Sequence, residues 1–396
     1  MSPNQTEGAA ALAGAIAREE TSAEKVVERA LTRAEQAADL GIFWALDTDL
    51  AIAAAREVDE LIAAGRDAGP LAGVPVAIKD SIHVAGLPTS YGNGGEPPRA
   101  EADAEIVRRA RQAGAVPIGK VAMDQLGWTT GGWTLAHPPC LNPIDRSRSA
   151  GGSSTGSAAA VAAGITPIAI GADAAGSVRL PAAYCGLVGI RPPIDALPTA
   201  GLKITIDGVD CPGPIAQTMD DALLALEALA DGEPAAVAKA ARRANLTEPQ
   251  TPVKVAALED LLSDAEAEVS AACRDALGAA GGLYPEEAVL DWEPRGLGKM
   301  LAGGLSRSWG AEIEASPGTY SELIRQSADF GRSVPAEEIE DIRDRLAREG
   351  EELAARFDGV DVVACPTAPT RVPLAAEEEV ATSTRFTRLF SALDWP

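Results

Sequence analysis

The first 65 residues carry the hydrophobic spacing of amphipathic helices. Thr21 and Glu24 have the spacing of a capping box, and apolar positions then recur on one helical face: Val26, Val27, Ala30, Leu31 and Ala34. Residues 51–64 are a second run of strong helix formers, which we expect to end near Gly65. The pattern predicts outer helices in residues 1–70 that pack on the rest of the chain.

The pattern becomes that of a strand in residues 71–80. Val74, Val76 and Ile78 alternate with small residues, and Lys79 and Asp80 stand at the end of this run. Ligands of open α/β sheets collect outside the strand ends, so we expect chemistry here. The turn-rich residues 84–92 are predicted to line a site or to form a surface loop.

Helix-like and strand-like segments then alternate along the chain. The pairs are 103–112 with 115–119, 154–163 with 166–170, and 219–230 with 253–257. This alternation predicts an α/β fold with a central mixed, largely parallel sheet. We expect one domain over 1–396, with N-terminal helices (1–70), a catalytic core (71–230), a helical substrate-side region (231–358) and a return to the sheet (359–396). The substrate-side region is expected to start with an excursion over the surface at 231–252. The return to the sheet is expected through a strand at 359–367.

Two serine-bearing turns flank an uncharged, alanine-rich segment in residues 151–179. Ser153 lies in a Gly-Gly-Ser-Ser turn, and Ser177 follows Ala-Ala-Gly 24 positions later. An ordinary core segment does not need two such tight polar turns, so we infer that they form one catalytic site. Serine, threonine and glycine interrupt the uncharged stretch between them, which predicts a core helix and strand rather than a membrane span.

Composition excludes several classes of function. The net charge of −24, from 34 basic and 58 acidic residues, gives no basic footprint for nucleic acid and disfavours contact with anionic lipid. Five scattered cysteines without a CxxC pair argue against a disulfide framework and a zinc site, and two histidines argue against a multi-histidine metal centre. No basic stretch followed by an apolar run begins the sequence, so we expect no secretory signal and a cytoplasmic location.

Ser177 is a candidate nucleophile. The small residues before it leave backbone N–H groups free to converge on a developing oxyanion, and each such donor can be worth about 10²- to 10³-fold in rate. Spacing suggests no Ser-His pair, so a neutral, buried Lys79 is the best candidate base, with the Ser153 hydroxyl as a relay. Taken singly, Ser177 could be a helix N-cap, the Gly-Gly-Ser-Ser turn an anion-binding nest, and Lys79 a solvated strand-end lysine.

Five segments resemble, in order, the amidase signature family of Ser–Ser–Lys amide hydrolases. They are LAGVPVAIKD (71–80), NP (142–143), GGSSTGSAAAVAAG (151–164), GADAAGSVRLPAAYCGLVGIRP (171–192) and DVVACPT (361–367). The resemblance covers roughly residues 71–396. It implies the amidase signature fold, with a twisted sheet covered by helices on both faces.

The resemblance also implies roles for individual residues. Ser177 would be the acylated nucleophile and Lys79 the base. Ser153 would be the serine that bridges them, and the Gly152–Ser153 peptide bond before it would be cis. Ser154 would support the relay, and Asp173 and Arg179 would brace the loop. The backbone N–H groups of four residues would form the oxyanion hole: Ala174, Ala175, Gly176 and Ser177. The implied reaction is hydrolysis of an amide through an acyl-enzyme, with release of ammonia or an amine and no cofactor or metal.

Departures from the family pattern bear on the substrate. Ala175 stands where glycine is usual, and Thr155 replaces another common glycine. DAAGS (173–177), MDQ (123–125) and SALDWP (391–396) are most similar to the allophanate hydrolase branch, which acts on small urea-like substrates. Family members also continue past the position of Pro396, often with a G-x-P-A-x-S-V-P stretch, so we expect either a fragment or a missing closing strand.

Two other functions remain open from the sequence. The same triad would serve the amidase subunit of a glutamine-dependent tRNA amidotransferase, and a shortened or inactive amidase fold could act in binding. The expected partner is a small-molecule amide, with neither direct nucleic-acid contact nor a membrane; a homodimer is left open. Substrate choice is expected from loops at 125–140 and 285–335, whose tryptophans would wall an acyl pocket or pack in the core: Trp128, Trp133, Trp292 and Trp309.

Overall fold

Six strands form the central sheet of the computed structural model, which describes residues 7–131, 139–206, 208–245, 253–279, 288–375 and 383–396. They are β1 (Phe43–Leu46), β2 (Pro75–Lys79), β3 (Val116–Val121), β4 (Ile168–Asp173), β5 (Val188–Gly189) and β6 (Cys211–Ala216). Their order is β1-β3-β2-β4-β6-β5. The three central strands are parallel, whereas β1, β6 and β5 pair in the antiparallel direction. The predicted α/β fold with a mixed sheet is confirmed.

Helices occur throughout the described parts of the chain, and several of them pack on this sheet. The first seven are α1 (Ala9–Ala17), α2 (Ala23–Gln36), α3 (Thr48–Ala63), α4 (Glu105–Gln112), α5 (Thr155–Ala162), α6 (Arg179–Tyr184) and α7 (Met219–Leu229). The remainder are α8 (Gly232–Asn245), α9 (Glu259–Asp264), α10 (Ala267–Ala279), α11 (Leu297–Ala315), α12 (Glu322–Arg332), α13 (Ala336–Arg356) and α14 (Thr387–Leu393). None of the helices within the described ranges is long and apolar enough to cross a membrane.

The alanine-rich helix α5 packs directly on the central strands. Every residue of β2 and β3 is buried, which explains their nearly continuous apolar sequence. A Cβ on Gly156 of α5 would lie 2.5 Å from the backbone nitrogen of Ala122, so only glycine permits this approach. The small side chains of α5 therefore bring the serine turn before it to the ends of the central strands.

The N-terminal region follows the predicted helical pattern with two differences. Helix α2 buries the predicted face, but its N-cap is Ser22, whose hydroxyl accepts a hydrogen bond from the Lys25 N–H, one position after the predicted Thr21. Strand β1 was not predicted. Its four residues pair with β3 at the edge of the sheet, and so short a strand shows no readable alternation.

Residues 359–367 do not return to the central sheet, contrary to the expectation. Their strand β8 (Val362–Ala364) pairs in parallel with β7 (Val255–Ala257) in a separate two-stranded sheet. This small sheet adjoins its own hydrophobic cluster, which includes Leu258, Leu353 and Phe386. Local strand pattern does not encode which sheet a strand joins, because that choice depends on which helices cover it.

Residues 232–245 form helix α8 rather than the expected surface excursion. Arg242 contacts Asp220 and Glu227 of α7 through ion pairs at 3.0 and 3.7 Å. One of the charged side chains that suggested a solvated excursion, that of Arg242, thus forms ion pairs between α8 and α7. The rest of the expected excursion, 246–252, lies outside the described residues.

Candidate active site

Lys79 is the last residue of β2, between β3 and β4 in the sheet. Its side chain is almost completely buried, at 2% exposure. The Nζ atom donates hydrogen bonds to Ser153 Oγ at 2.9 Å and to the carbonyl oxygen of Ala172 at 2.9 Å. The lysine and the first serine turn, 74 positions apart in sequence, are therefore in direct contact.

Burial lowers the pKa of Lys79 to about 8, from an ordinary value of 10.5. Desolvation of the ammonium is the largest cause, and the carboxylates of Asp210, Asp173 and Asp124 oppose it. A lysine with this pKa exists partly as the neutral amine close to neutral pH, and a neutral amine can accept a proton.

The turn that carries Ser153 is tightly enclosed. The Gly152–Ser153 peptide bond is cis, as the family resemblance implied. A Cβ on Gly152 would lie 2.7 Å from Thr130 Cα, and a Cβ on Gly127 would lie 3.2 Å from Ser153 Oγ. Glycine at both positions lets backbone surround a serine that is only 1% exposed.

Ser177 lies in the loop between β4 and α6 and faces the same pocket. This pocket has a volume of about 50 Å³, and its lining includes Lys79, Ser153 and Ser177. The two serine turns also touch through their backbones, because the Ser154 N–H donates to the Ser177 carbonyl oxygen at 3.1 Å. The structure therefore brings together all three side chains that the sequence singled out.

One of the four N–H groups expected in the oxyanion hole is already engaged. The Gly176 N–H donates to Asp173 Oδ1 at 2.7 Å, so the prediction for Gly176 is wrong in this conformation. The loop wraps around the Asp173 carboxylate, which also accepts from the Val178 N–H. Ala174 lines the pocket beside Ser177, and the expectation for the other three N–H groups remains a prediction.

Asp173 and Arg179 fix this loop to the last helix. Two guanidinium nitrogens of Arg179 contact the Asp173 carboxylate at 3.0 and 2.9 Å, and the same side chain donates to the Thr387 carbonyl and to Ser391 Oγ of α14. Burial alone would raise the pKa of Asp173, but Arg179 and Arg191 outweigh it and hold the pKa well below its ordinary value. These contacts are those of a brace around the loop.

Ser154 supports the end of β4. Its buried Oγ donates to the Ala172 carbonyl at 3.2 Å and accepts from the Ala172 N–H at 3.3 Å. The same carbonyl accepts from Lys79, so Ser154 and Lys79 hold one backbone group from two sides.

Sequence reasoning missed Asp210 as a residue of this site. Its side chain lines the pocket, and burial raises its pKa. Asp210 directly precedes β6, and no motif or local pattern marks it in the sequence. Within the described parts of the chain, no group of three His, Cys, Asp or Glu residues could hold a metal ion.

The tryptophans proposed for an acyl pocket divide by position. Trp128 lines the pocket and donates from Nε1 to Ser327 Oγ at 3.0 Å. Trp309 packs edge-on against Tyr91 in a neighbouring cluster, and Trp292 bonds to Glu349 away from the site. Trp133 lies outside the described residues, as does His137.

Related proteins match this chain either over nearly its whole length or over little more than half of it. The sequence profile of the Amidase family matches residues 25–284. A putative amidase, AmiB2, of Mycobacterium tuberculosis (strain ATCC 25618 / H37Rv) is 35% identical over 384 residues, which cover 92% of this chain and 80% of the relative. A glutamyl-tRNA(Gln) amidotransferase subunit from Salinispora arenicola is 44% identical over 231 residues, or 57% of this chain; the match spans about half of that relative, 46% of its length.

Solved structures share this fold over nearly the whole length of the chain. A crystal structure of an amidase superposes with a TM-score of 0.85 at 27% identity, covering 98% of this chain and 90% of the other. The peptide amidase of Stenotrophomonas maltophilia gives a TM-score of 0.79 at 24% identity, covering 99% and 89%. Because its identity is low, the similarity to the peptide amidase supports only the fold.

Proposed function

This chain belongs to the amidase signature family of hydrolases that act on carbon–nitrogen bonds, and we propose that it hydrolyses a small carboxamide or urea-like substrate through Lys79, Ser153 and Ser177. The observation that supports this most is the 2.9 Å contact from Lys79 Nζ to Ser153 Oγ, in a pocket that Ser177 also lines. Because the pKa of Lys79 is lowered, its amine can be neutral and can accept a proton from Ser153 through this contact.

The first half of the proposed reaction forms a tetrahedral intermediate on Ser177. Ser177 Oγ attacks the amide carbonyl carbon and gives its proton to Ser153 Oγ, while Ser153 passes its own proton to neutral Lys79. The carbonyl oxygen then carries the negative charge, and we assign its stabilisation to the N–H groups of Ala174, Ala175 and Ser177. The Gly176 N–H stays with Asp173, where it shapes the loop.

The second half returns the protons. The tetrahedral intermediate collapses, and the C–N bond breaks as the nitrogen takes a proton back from Lys79 through Ser153. Ammonia or an amine leaves, and a water molecule attacks the Ser177 ester with the same relay as its base. The carboxylic acid is released and Ser177 regains its proton.

The size of the pocket favours a small substrate. A volume of about 50 Å³ holds only a few water molecules, so the acyl group beside Ser177 should have only a few heavy atoms. Urea-like substrates fit this size, but the short motifs that suggested the allophanate hydrolase branch are their only further support.

The second candidate is the amidase component of a tRNA amidotransferase. Its support is the 44% identity to the relative from Salinispora arenicola, yet this match ends after 231 residues, whereas the likeness to AmiB2 extends over 384. We therefore place it second. Glutaminase activity that appeared only on addition of the partner subunits would reverse this order.

Ammonia release from a panel of small amides tests the proposal. We expect turnover by the wild-type chain, covalent labelling of Ser177 by a small sulfonyl fluoride, and loss of both with Ser177→Ala. Lys79→Ala should abolish turnover as well. Full turnover by both variants would refute the mechanism, and absence of both turnover and labelling in the wild type would favour an inactive fold.

A further inference from the structure

Asp210 presents a carboxylate to the active-site pocket. One of its oxygens, Oδ2, accepts hydrogen bonds from the N–H groups of Thr205 and Ile206, at 2.8 and 3.2 Å. The Thr205 carbonyl is in turn held by Ser308 Oγ of α11 at 3.0 Å. Two elements of the fold thus fix the orientation of this carboxylate.

The second oxygen of Asp210, Oδ1, accepts no hydrogen bond from the described residues, and no described cation forms an ion pair with the carboxylate. This differs from the other two carboxylates near Lys79. Asp173 is paired with Arg179, and Asp124 accepts from the hydroxyls of Thr129 and Thr155. A carboxylate oxygen without a partner in a small pocket is available to a ligand.

The charges that line the pocket leave this carboxylate unbalanced in the reactive state. Lys79 must be neutral to accept a proton, so it then offers no positive charge. Lys203 also lines the pocket, but its ammonium is paired with Glu312 and lies 3.5 Å from the centre of the Trp309 ring. A positively charged group on the substrate would therefore restore the balance.

We propose that Asp210 is a specificity-determining residue that binds a protonated amine on the acyl side of the substrate. The preferred substrates are then small amino-substituted carboxamides, in which a short carbon chain separates the ammonium from the scissile carbonyl. This inference rests on the proposed function, since it takes Ser177 as the point where that carbonyl lies.

Two amides of equal length make the test. In butanamide a methyl group replaces the ammonium of 3-aminopropanamide, and the rest of the skeleton is the same. The wild-type chain should prefer the amine by its kcat/KM at a pH near 8, where Lys79 is half neutral. Asp210→Asn keeps the shape and removes the charge, and should reduce kcat/KM for 3-aminopropanamide by about 10- to 100-fold. The loss for butanamide should be clearly smaller, because butanamide has no ammonium for Asp210 to bind.

A pH profile separates recognition from an effect on the base. The Asp210 charge raises the pKa of Lys79, so Asp210→Asn should also move the pH midpoint downwards. If that were its whole role, both amides would change equally at every pH, and the proposal would be overturned. Asp358→Asn, which removes an exposed charge outside the pocket, is the matched control and should leave the preference intact.

Binding provides a readout that does not need turnover. In the Ser177→Ala background, calorimetry should show 3-aminopropanamide binding more tightly than butanamide, and Asp210→Asn should remove that difference. Equal binding of the two amides to the Ser177→Ala chain would overturn the inference, whatever the activity. If the wild type hydrolyses both amides without preference, the inference fails while the proposed function stands. If the wild type hydrolyses neither amide and the sulfonyl fluoride does not label it, the proposed function fails. The binding result then still decides the inference.

Discussion

Two lysines are buried on neighbouring strands, and burial lowers the pKa of each to about 8. Lys79 ends β2, and Lys120 lies beside it in β3, where its partner across the strand pair is Ile78. Their exposed fractions are 2% and 0%. By burial and pKa alone, either residue could be the base of the reaction.

Their partners differ. Lys79 contacts a serine hydroxyl and a carbonyl, both neutral groups, at the wall of a pocket. Lys120 forms an ion pair with Asp80 at 3.3 Å and donates to Thr89 Oγ1 at 2.8 Å. Asp80 in turn accepts from Ser90, so this second lysine holds the loop that follows β2.

The comparison shows that a lowered pKa does not by itself identify a catalytic base. A neutral lysine is useful where a proton donor is within reach, as at Ser153. Next to a buried carboxylate, the charged form of a lysine is the one that completes the pair. Four predictions use this contrast, from the largest expected effect to the smallest.

Lys79→Met should have the largest effect on activity. It removes the proposed base while keeping an unbranched side chain, and we expect kcat/KM to fall by about 10³- to 10⁴-fold. The free energy of unfolding should change little, by about 1 kcal/mol, since no buried charge loses a partner. Urea denaturation measures this control, and a variant that folds normally and still retains its activity would show that Lys79 is not the base.

Lys120→Met should instead have its main effect on stability. It leaves the Asp80 carboxylate buried without its cation, and we expect a loss of about 3–5 kcal/mol in the free energy of unfolding. At low temperature, where the variant is folded, its kcat should remain within about threefold of the wild-type value. Adding Asp80→Asn should restore part of the stability, and a double variant less stable than Lys120→Met would contradict the ion-pair explanation.

The pH dependence should follow Lys79. In the proposed mechanism the neutral form of the lysine is the active one, and its pKa is about 8, so kcat/KM should rise about tenfold from pH 7 to pH 9 and be lost as the pH falls. Lys120 is not among the charges that shift Lys79, so Lys120→Met should leave the midpoint in place. A flat profile from pH 7 to pH 9 would count against a lysine base.

Ser154→Ala should have the smallest effect. It removes two hydrogen bonds to Ala172, whose carbonyl also holds Lys79, and we expect kcat to fall by about five- to tenfold. Ser157→Ala is the matched control. Ser157 lies in α5, which begins directly after Ser154, and its hydroxyl is also buried but has no hydrogen-bond partner among the described residues. An equal change in both variants would mean that Ser154 contributes packing rather than support for the lysine.

Much of this site could be predicted because its residues lie in local patterns. Glycine and serine mark the two turns, and a β-branched run marks β2, so Ser153, Ser177 and Lys79 could each be found from their neighbours. Asp210 could not, because a lone aspartate before a strand resembles any surface turn residue. Its importance comes from facing a pocket whose other walls lie far away in the sequence.

The same limit explains the errors in the fold. Helix α8 has the composition of a solvated excursion, and only its contacts with α7 give those charges partners. Strand β8 has an ordinary strand pattern, but its pairing with β7 depends on the helices that pack beneath it. Likewise, the Gly176 N–H is a free donor in sequence terms until the Asp173 carboxylate occupies it.

The sequence by itself determined the α/β class, the two serine turns and a candidate lysine at the end of a β-branched run, because short-range periodicity and turn chemistry encode them. Only the tertiary structure decided which buried lysine meets a hydroxyl and which meets a carboxylate. Lys79 and Lys120 lie at or near the ends of similar apolar runs, and no local pattern shows which group each ammonium contacts. The difference arises from the groups that other segments place within 3 Å or so of each ammonium, Ser153 for one and Thr89 for the other.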